Sequence, residues 1–600
     1  MRVASPFARP TRVLMQIKTS MACMLTMGLT RSHVCSVIAG VQCWRENTML
    51  NRRRLFQVAG VTAIAGAGAV AWTYYGMRRS GARAGGPFRH YPLDPVAQEN
   101  FQQKLFIPGA SGPFGVLDVA GPLTIRAAAG SFALLPGSQS PFLLYHTEQG
   151  GKAYQNPILR MESGARFTVA LDNALPQPTI IHWHGLHTPA SMDGHPRDTI
   201  APGARYAYDF TVRNRGGTYW YHTHAHGLTA EQAYHGLASF FLVDDDDQRR
   251  LGKALDLQLG VTDLPLVIQD KQFDAQGKLL YRPNAHESMM GWLGDIVLAN
   301  LTPNAVQTVL PRTYRLRLLN GSNSRIYRLA FIKGNTPLEF AVVGTDGGLI
   351  ERPETVTEAF LAPGERLDVL FDAGQVPPGT DVFLKSLAFD PMENEGPGMG
   401  GMSGMGGMSG MGGMGGMMAG MTSSRLPLGT EFNVLKLSVT AGERVVARLP
   451  ATLSEVKPIR VEGAAERQID LSMGQMRFLI NGRTFKMDEV VFETKRGTVE
   501  VWRINNPAMG MPHPMHIHGF SFQVLERLNS PPQLAATARF GKGRFVSDLG
   551  WKDTVLVWPG ESVRIALDFS HDFPGGQTHV FHCHNLEHED AGMMVNFRVA

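Results

Sequence analysis

The same short pattern occurs three times along the chain, and this repeat limits the possible fold more than any other feature. Each copy begins with a Pro-Gly turn, at Pro202, Pro363 or Pro559, and continues as an alternating apolar strand that closes on neighbouring Asp and Phe residues. A further strand lies upstream of each turn and ends at an Asn residue. These upstream strands are predicted at residues 167–173, 314–320 and 499–505. Pro-Gly turns between strands of period two are typical of β-sandwiches, and repetition on this scale indicates repeated domains.

The repeat predicts an all-β chain built from three β-sandwich domains. We expect these domains at residues 95–247, 248–440 and 466–600, with residues 441–465 as a linker. Helical periodicity is scarce, and residues 229–237 form the best short candidate. The chain has 600 residues, of which 44% are hydrophobic, so it is long enough to bury several cores.

The segment before the first domain has the features of an export signal. Arg52, Arg53 and Arg54 precede an apolar run at residues 58–72 that is rich in Ala and Gly. A charged start followed by such a run is typical of an export signal, and the paired arginines favour the twin-arginine type. Residues 82–84 (Ala-Arg-Ala) are a candidate cleavage site.

These features predict a twin-arginine-type signal segment at residues 49–84, with translation starting at Met49. Residues 1–48 would then be a non-translated or non-structural extension. The mature protein is expected in a bacterial periplasm, without a stable membrane span after cleavage of the signal. An uncleaved membrane anchor is the alternative, but the apolar run is short and Gly-rich for a stable span.

Charge and cysteine content argue against a nucleic-acid partner and against a disulfide framework. The formal net charge is +5, and much of the excess lies in the N-terminal segment. No long basic patch with interleaved aromatic residues occurs elsewhere in the sequence, so nucleic acid is not an expected partner. Of the four cysteines, only Cys583 lies beyond the signal segment, so no disulfide framework is expected in the mature protein.

The surroundings of Cys583 predict a metal site. His588 follows it after five residues and Met593 after ten. Thiolate, imidazole and thioether are the soft ligands of a blue-copper electron-transfer site, which needs one further His from elsewhere. Neighbouring side chains of an extended strand point to opposite faces, so His582 and His584 would face away from this copper, toward other metals. The alternative is a buried free Cys beside surface histidines.

Three further histidine clusters make that alternative weak. Ten of the 20 His residues fall into four short windows, each of which contains a His-x-His pair. The other three windows hold His182 and His184, His222 and His224, and His513, His516 and His518. Two windows lie in the first domain and two in the third. A site that uses all four must lie between these two domains, with the middle domain as a spacer.

With all four motifs in place, residues 100–600 resemble the multicopper oxidases, laccases and bacterial cuprous oxidases included. The stretches 582–594 and 220–243 look most like those of the bacterial copper-efflux oxidases. The resemblance implies three cupredoxin-like Greek-key domains and four copper ions, one of type 1, one of type 2 and a type 3 pair. The type 1 ligands it implies are His513, Cys583 and His588, with Met593 axial. The type 2 ligands are His182 and His516. One type 3 copper would be held by His184, His222 and His584, and the other by His224, His518 and His582.

The resemblance also implies a reaction. Four one-electron oxidations of a donor would be coupled to the reduction of O₂ to two waters, with electrons passing from the type 1 copper through Cys583 and its neighbours. Protons are needed as well, and Asp193 and Glu589 resemble the acidic residues that deliver them in the family. The alternative is that each is a solvated loop carboxylate. The enzyme is expected to be a monomer.

Two methionine features bear on the donor. Residues 398–421, within an insertion at 396–424 of the middle domain, contain nine Met among mostly Gly. Thioethers select Cu(I), so this stretch is a candidate Cu(I) sink, although a flexible insertion is the alternative. Met509 and Met511 precede His513, where the copper-efflux oxidases carry an Asp and a Met that bind substrate Cu(I). Here Met511 fits and Met509 departs, so both could instead be packing residues.

The sequence therefore favours an oxidase of Cu(I) that serves copper homeostasis by detoxification. A laccase-like oxidase of phenolic or aromatic donors is the main alternative. A non-catalytic copper-storing scaffold protein is a third, less favoured, since every copper ligand that the resemblance implies is in place.

Overall fold

The computed structural model describes residues 101–135, 137–393, 423–474 and 477–600. The expected extension and signal, residues 1–48 and 49–84, lie outside the described residues, as does the Met/Gly-rich stretch at 398–421. Within the described part, 36 strands form six sheets, and only four short α-helices occur. The all-β prediction is confirmed.

The first domain is a pair of sheets that enclose one apolar core. Its strands, preceded by β1 (Gln103–Lys104), are β2 (Gly112–Pro113), β3 (Val116–Asp118), β4 (Leu123–Phe132), β5 (Ser140–Gln149), β6 (Lys152–Gln155), β7 (Ile158–Glu162), β8 (Arg166–Asn173), β9 (Ile181–His182), β10 (Arg205–Thr211), β11 (Gly217–Thr223) and β12 (Ala238–Asp244). One sheet has the order β10-β8-β4-β5-β6-β2 and the other β3-β7-β12-β11-β9. Trp183 and Phe167 pack edge to face in the core between them.

The middle domain repeats this arrangement with larger sheets. Its strands are β13 (Asp263–Phe273), β14 (Leu279–Leu280), β15 (Ile296–Ala299), β16 (Thr302–Pro303), β17 (Ala305–Val309), β18 (Thr313–Asn320), β19 (Tyr327–Lys333), β20 (Thr336–Leu338), β21 (Phe340–Thr345), β22 (Gly348–Val356), β23 (Ala359–Leu361), β24 (Arg366–Asp372), β25 (Asp381–Ser386) and β26 (Phe432–Val439). One sheet runs β16-β15-β13-β18-β24-β21-β22, with β14 on β13. The other runs β17-β26-β25-β19-β20, with β23 on β19, and β1 adds to it in parallel beside β17.

The third domain holds two five-stranded sheets. Its strands are β27 (Ala465–Gly474), β28 (Arg477–Ile480), β29 (Val490–Thr494), β30 (Val499–Asn505), β31 (His513–Ile517), β32 (Phe522–Leu528), β33 (Thr554–Val557), β34 (Ser562–Asp568), β35 (Gln577–Cys583) and β36 (Met594–Val599). The sheet orders are β28-β27-β30-β34-β32 and β29-β36-β35-β31-β33. No helix or strand lies between Val439 and Ala465, the region expected to be the linker.

The helices lie between strands and are short. They are α1 (Thr229–Tyr234), α2 (Asp246–Leu255), α3 (Ala285–Met290) and α4 (Leu586–Asp590), with 3-10 turns at Ala190–Met192, Pro196–Asp198, Ala373–Gln375, Pro532–Leu534 and Val546–Asp548. Helix α2 spans the expected boundary between the first two domains, and its Leu251 and Leu255 pack into the middle domain's core. No helix in the described ranges combines the length and apolar character that crossing a membrane requires.

The three strands predicted upstream of the Pro-Gly turns are confirmed as β8, β18 and β30. Each pairs in antiparallel register with the strand that follows its turn, as β10, β24 and β34 respectively. The turn glycines Gly203, Gly364 and Gly560 all have a φ near +80°, a conformation that glycine adopts without the steric cost paid by other residues. The repeat in the sequence is therefore a repeat in backbone geometry.

Candidate metal centre

All four His-x-His pairs straddle the end of a strand. His182, His222, His516 and His582 are the last or next-to-last residues of β9, β11, β31 and β35, and the second His of each pair lies just beyond the strand. The register places His182 opposite His222 and His516 opposite His582. The pairs therefore meet at the ends of paired strands rather than along one strand face.

These pairs bring eight buried imidazoles together from the first and third domains. The nitrogen atoms that could bind a cation lie within 4.8 Å of one another in three groups. The groups are His182, His184 and His516; His184, His222 and His584; and His224, His518 and His582. Each of these side chains is at most 1% exposed. The site lies between the domains, as the distribution of the motifs predicts.

The ring nitrogens of His182 and His516 face each other in a way that calls for a cation. Their Nε2 atoms are 3.3 Å apart. The Nδ1 of His182 lies 2.7 Å from the backbone oxygen of Asp193, and the Nδ1 of His516 lies 2.9 Å from that of Asp553. A carbonyl oxygen only accepts, so each Nδ1 donates its proton, and in a neutral ring this leaves a bare lone pair on Nε2. Two such lone pairs repel each other unless a positive ion lies nearby.

His518 and His582 repeat this arrangement. Their Nε2 atoms are 3.1 Å apart, and the Nε2 of His224 lies 3.3 Å from that of His582. The Nδ1 of His518 donates to the carboxylate of Asp193 at 2.8 Å, and the Nδ1 of His582 donates to the backbone oxygen of Cys583 at 3.0 Å. Copper is one of the metals that imidazole ligands bind well, so a set of imidazole lone pairs in a dry site fits the cofactor that the sequence predicts.

Burial keeps seven of these imidazoles in the neutral form that binds metal. It is the main cause that lowers the pKa of His184, His222, His224, His516, His518, His582 and His584. Removal from water disfavours the charged imidazolium, and the neighbouring histidines add to the effect. Proton competition for these ligands is therefore weak at neutral pH.

A second group lies in the core of the third domain. The Sγ of Cys583 is 3.5 Å from the Nδ1 of His513 and 3.6 Å from the Nδ1 of His588. Met593 is fully buried in the same apolar cluster, and its backbone oxygen accepts the N–H of Cys583. Burial lowers the pKa of His513 to about 3 and raises the pKa of the Cys583 thiol. A soft cation that replaces the thiol proton would relieve this cost.

The two groups are joined by one strand end. Cys583 lies between His582 and His584 on the chain, so one peptide bond on either side connects the sulfur-containing group to an imidazole group. Met515 lies opposite Cys583 on β31, next to His516. This is a short covalent connection between the sulfur-containing group and the imidazole groups.

Family models of the multicopper oxidases match residues 150–248, 281–393 and 459–600. Laccase from Bacillus subtilis is 30% identical over 450 residues, which cover 69% of this chain and 78% of that laccase. The chain belongs to the multicopper oxidases. Its cofactor is therefore copper, and it is a copper-dependent oxidoreductase.

Other multicopper oxidases resemble this one over most of their length. The multicopper oxidase mco of Staphylococcus aureus is 28% identical over 480 residues, covering 79% of this chain and 88% of that protein. The crystal structure of the McoA multicopper oxidase from Aquifex aeolicus superposes with a TM-score of 0.71 at 38% identity, covering 83% of this chain and 99% of that one. The predicted architecture of three cupredoxin-like domains is confirmed.

The two acidic residues predicted to deliver protons are buried beside the multicopper oxidase cluster. Asp193 is fully buried, and its Oδ2 accepts from His518 and lies 3.2 Å from the Nδ1 of His579. Glu589 is 1% exposed, and its carboxylate lies 3.3 Å from the Nδ1 of His582. Neither is a solvated loop carboxylate. Burial raises the pKa of Glu589, whereas the His518 and His182 imidazoles outweigh the burial of Asp193 and lower its pKa.

A pocket of about 270 Å³ opens beside His513. Five methionines line it together with His286: Met289, Met290, Met473, Met509 and Met511. Met509 and Met473 are 48% and 44% exposed, whereas Met511 is 7% exposed. The thioethers therefore extend from solvent to the wall beside His513. The residues that line the pocket include no carboxylate.

Several residues of the site could not be recognised in the sequence. Asp553 binds two of the cluster histidines, yet it is a single carboxylate that belongs to no spaced motif. His286 and Met289 lie on α3, more than 200 residues from His513 along the chain. The helix is started by a capping box between Asn284 and Glu287, a local signal that indicates a helix but not its place beside the metal.

The Pro-Gly turns provide a prediction with internal controls. A Cβ on Gly364 would lie 2.9 Å from the ring of His584, whereas a Cβ on Gly203 would meet no atom within 4 Å. Because both glycines have positive φ, Gly203→Ala and Gly364→Ala should each lose about 1–2 kcal/mol of stability from backbone strain. Only Gly364→Ala should also lower the copper content, which metal analysis after chelator dialysis would measure. Equal copper content in the two variants would show that the turn does not shape the site.

Proposed function

We propose that this multicopper oxidase oxidises Cu(I) and couples four such oxidations to the reduction of O₂ to two waters, as a defence against copper. The single observation that carries the choice of donor is the thioether-lined pocket beside His513. Thioethers are soft ligands that select Cu(I), and the methionines of the pocket include the exposed Met509 and the buried Met511. The enzyme would act in the bacterial periplasm as a monomer, after export.

We assign the copper ligands as the resemblance implies. Type 1 copper would be held by His513, Cys583 and His588 with Met593 axial, and type 2 copper by His182 and His516. The type 3 pair would be held by His184, His222 and His584, and by His224, His518 and His582. Copper bound in these places would supply one-electron transfer at the sulfur site and O₂ reduction at the histidine cluster.

The pocket contacts one histidine of the sulfur site directly and the other through helix α3. His513 forms part of its wall. Helix α3 brings Met289 and Met290 to another wall, and the backbone oxygen of Met289 accepts the Nε2–H of His588 at 2.7 Å. This hydrogen bond fixes the ring so that its Nδ1 points at Cys583. A donor bound by the methionines would therefore lie beside the type 1 ligand His513 and beside the residue that holds His588 in place.

The first described residue after the Met/Gly-rich stretch is hydrogen-bonded to helix α3, which lines this pocket. This residue, Ser423, donates through both its N–H and its hydroxyl to Glu287 of α3, each at 2.6 Å. The same helix carries His286, Met289 and Met290. We propose that the stretch collects Cu(I) and delivers it to the pocket.

Deleting residues 398–421 tests the choice of donor. We expect the deletion to lower kcat/KM for Cu(I) and leave kcat/KM for a phenol unchanged, both followed as O₂ consumption by the copper-loaded protein. A phenol preferred over Cu(I) by the full-length chain would instead favour a laccase-like oxidase, the function in the names of several relatives. If neither donor is consumed although copper is bound, a copper-storing scaffold is favoured.

Proton delivery gives a second prediction. Asp193 is buried against His182 and His518, and Glu589 is buried against His224 and His582. There each carboxylate can hold a proton or pass it to reduced oxygen. Asp193→Asn and Glu589→Gln should each lower kcat about 10²-fold, the lower end of the usual contribution of general acid–base catalysis. The KM for the donor should not change, because the pocket is untouched. Asp198→Asn, on the adjacent 3-10 turn, is the control. Unchanged kcat with full copper content would exclude the residue concerned from proton delivery.

A further inference from the structure

The Pro-Gly turn of the middle domain lies directly against the histidine cluster. Gly364 approaches the ring of His584 so closely that a Cβ would be 2.9 Å from it. Glu365 accepts a hydrogen bond from the buried Nζ of Lys552 at 3.0 Å. Arg366 reaches Asp553. The middle domain supplies no imidazole to the cluster, but this turn makes it more than a spacer.

Arg366 joins all three domains through one fully buried guanidinium group. Its Nε donates to the backbone oxygen of Thr218 in the first domain at 3.0 Å. Its two terminal nitrogens donate to the backbone oxygens of Gly364 and Asp346 at 3.0 Å, and both also donate to the carboxylate of Asp553 in the third domain. All five N–H groups therefore have an acceptor. The contact with Asp553 is bidentate, a geometry that fixes the plane of the carboxylate.

Asp553 in turn contacts two histidines of the cluster. Its Oδ1 lies 3.0 Å from the Nε2 of His184, and its backbone oxygen accepts the Nδ1–H of His516. With these nitrogens occupied, the remaining nitrogen of His184 points at the Nε2 of His222, 3.3 Å away, and that of His516 points at His182. Asp553 thus determines which nitrogen of each ring is free for a metal.

We propose that Arg366 is a positioning residue of the copper cluster. It holds the Asp553 carboxylate where Oδ1 lies 3.0 Å from the Nε2 of His184 and 3.5 Å from the Nδ1 of His516. It thereby couples the middle domain to copper binding. The inference rests on the proposed assignment of these two histidines as copper ligands. It does not depend on which donor the enzyme oxidises.

The repeated turn contains its own comparison. Arg205 occupies the same position after the Pro-Gly turn of the first domain, where it pairs with Asp172 on the surface, its side chain 63% exposed. The third copy of the turn has Ser562 at this position. Only the middle copy turns a guanidinium toward the cluster. Arg205→Met is therefore a matched control for the turn.

A second control matches the burial. Arg527 is a buried arginine of the third domain. It makes a bidentate ion pair with Asp548 at 2.7 and 2.8 Å and contacts Glu561 at 2.9 Å. None of these partners contacts a cluster histidine through a described hydrogen bond. Arg527→Met removes a buried charge pair in the same way as Arg366→Met, with the same kind of loss in stability.

The experiment compares copper retention in the full-length, copper-loaded protein and its variants. Each protein is dialysed against graded EDTA. Total copper is measured by elemental analysis, type 1 copper by its blue absorption, and type 2 copper by electron paramagnetic resonance. For Arg366→Met we expect cluster copper to be lost at about 10- to 100-fold lower EDTA concentration than in the wild type, while the blue absorption is kept. Arg205→Met and Arg527→Met should retain copper as the wild type does.

The outcomes separate the possible failures. Retention of cluster copper by Arg366→Met equal to that by Arg527→Met would overturn the inference. Should Arg366→Met fail to fold, Arg366→Lys carries the test, because it keeps the charge but loses the two parallel N–H bonds. Weakened cluster copper in the folded Lys variant supports the positioning role, and wild-type retention overturns it. A wild-type protein that binds no copper at the histidines would refute the ligand assignment itself.

Discussion

Replacing Cys583 by Ser should abolish the blue absorption and reduce donor oxidation to the background rate. The sulfur is the one thiol among the described residues and lies 3.5–3.6 Å from the Nδ1 atoms of His513 and His588. A hydroxyl oxygen is a hard, neutral ligand that does not hold copper tightly, so electrons would lose their entry point to the route toward His582 and His584. Optical spectroscopy and O₂ consumption measure the two effects.

The control for this variant is the histidine cluster itself. Its imidazoles come from both outer domains and do not depend on the thiol, so Cys583→Ser should keep the three remaining coppers. Elemental analysis and the type 2 paramagnetic signal would show this. Donor oxidation that continues at the wild-type rate in the copper-loaded Ser variant would mean that electrons enter by another route, and the proposed type 1 site would be wrong.

The thioether pocket should be needed for Cu(I) but not for a phenol. Met289→Leu combined with Met509→Leu removes two sulfurs and nearly conserves volume. If each thioether contributes about 1.4 kcal/mol to Cu(I) binding in the transition state, each replacement lowers kcat/KM for Cu(I) about tenfold. The phenol value should stay within about twofold of the wild type, because an apolar wall remains in place.

Met161→Leu is the matched control for the pocket variant. This methionine is buried in the first domain's core and is not part of the pocket. The variant should leave both donors unaffected. An equal fall of kcat/KM for Cu(I) and phenol in the pocket variant would indicate damage to the type 1 site rather than loss of a Cu(I) site. An unchanged value for Cu(I) would remove the main support for the proposed donor.

The sequence predicted the sheets and the imidazole pairs because both follow from short spacing rules. Alternating apolar residues place β8, β18 and β30, and the His-x-His pairs lie where paired strands end. Spacing alone would place a His-x-His pair along one face of a strand, whereas the second His of each pair lies beyond its strand. Register decides this geometry, since strand pairing brings His516 opposite His582.

The contacts between distant parts of the chain could not be predicted in the same way. Arg366 and Asp553 are 187 residues apart. Neither belongs to a spaced motif, because their contact forms only when the domains pack together. Arg366 even belongs to a turn whose first copy carries a surface ion pair, so the repeat by itself suggests an exposed role. Parallel pairing of β1 with β17 likewise depends on packing between domains, for which single-chain periodicity carries no signal.

The central claim is that one-electron oxidations of Cu(I) are stored and combined into complete reduction of O₂. The measurement that tests it most directly is the ratio of Cu(I) oxidised to O₂ consumed by the copper-loaded protein, with peroxide assayed in the same sample. We expect four Cu(I) for each O₂ and no peroxide. Two Cu(I) for each O₂, with one peroxide released, would contradict the account.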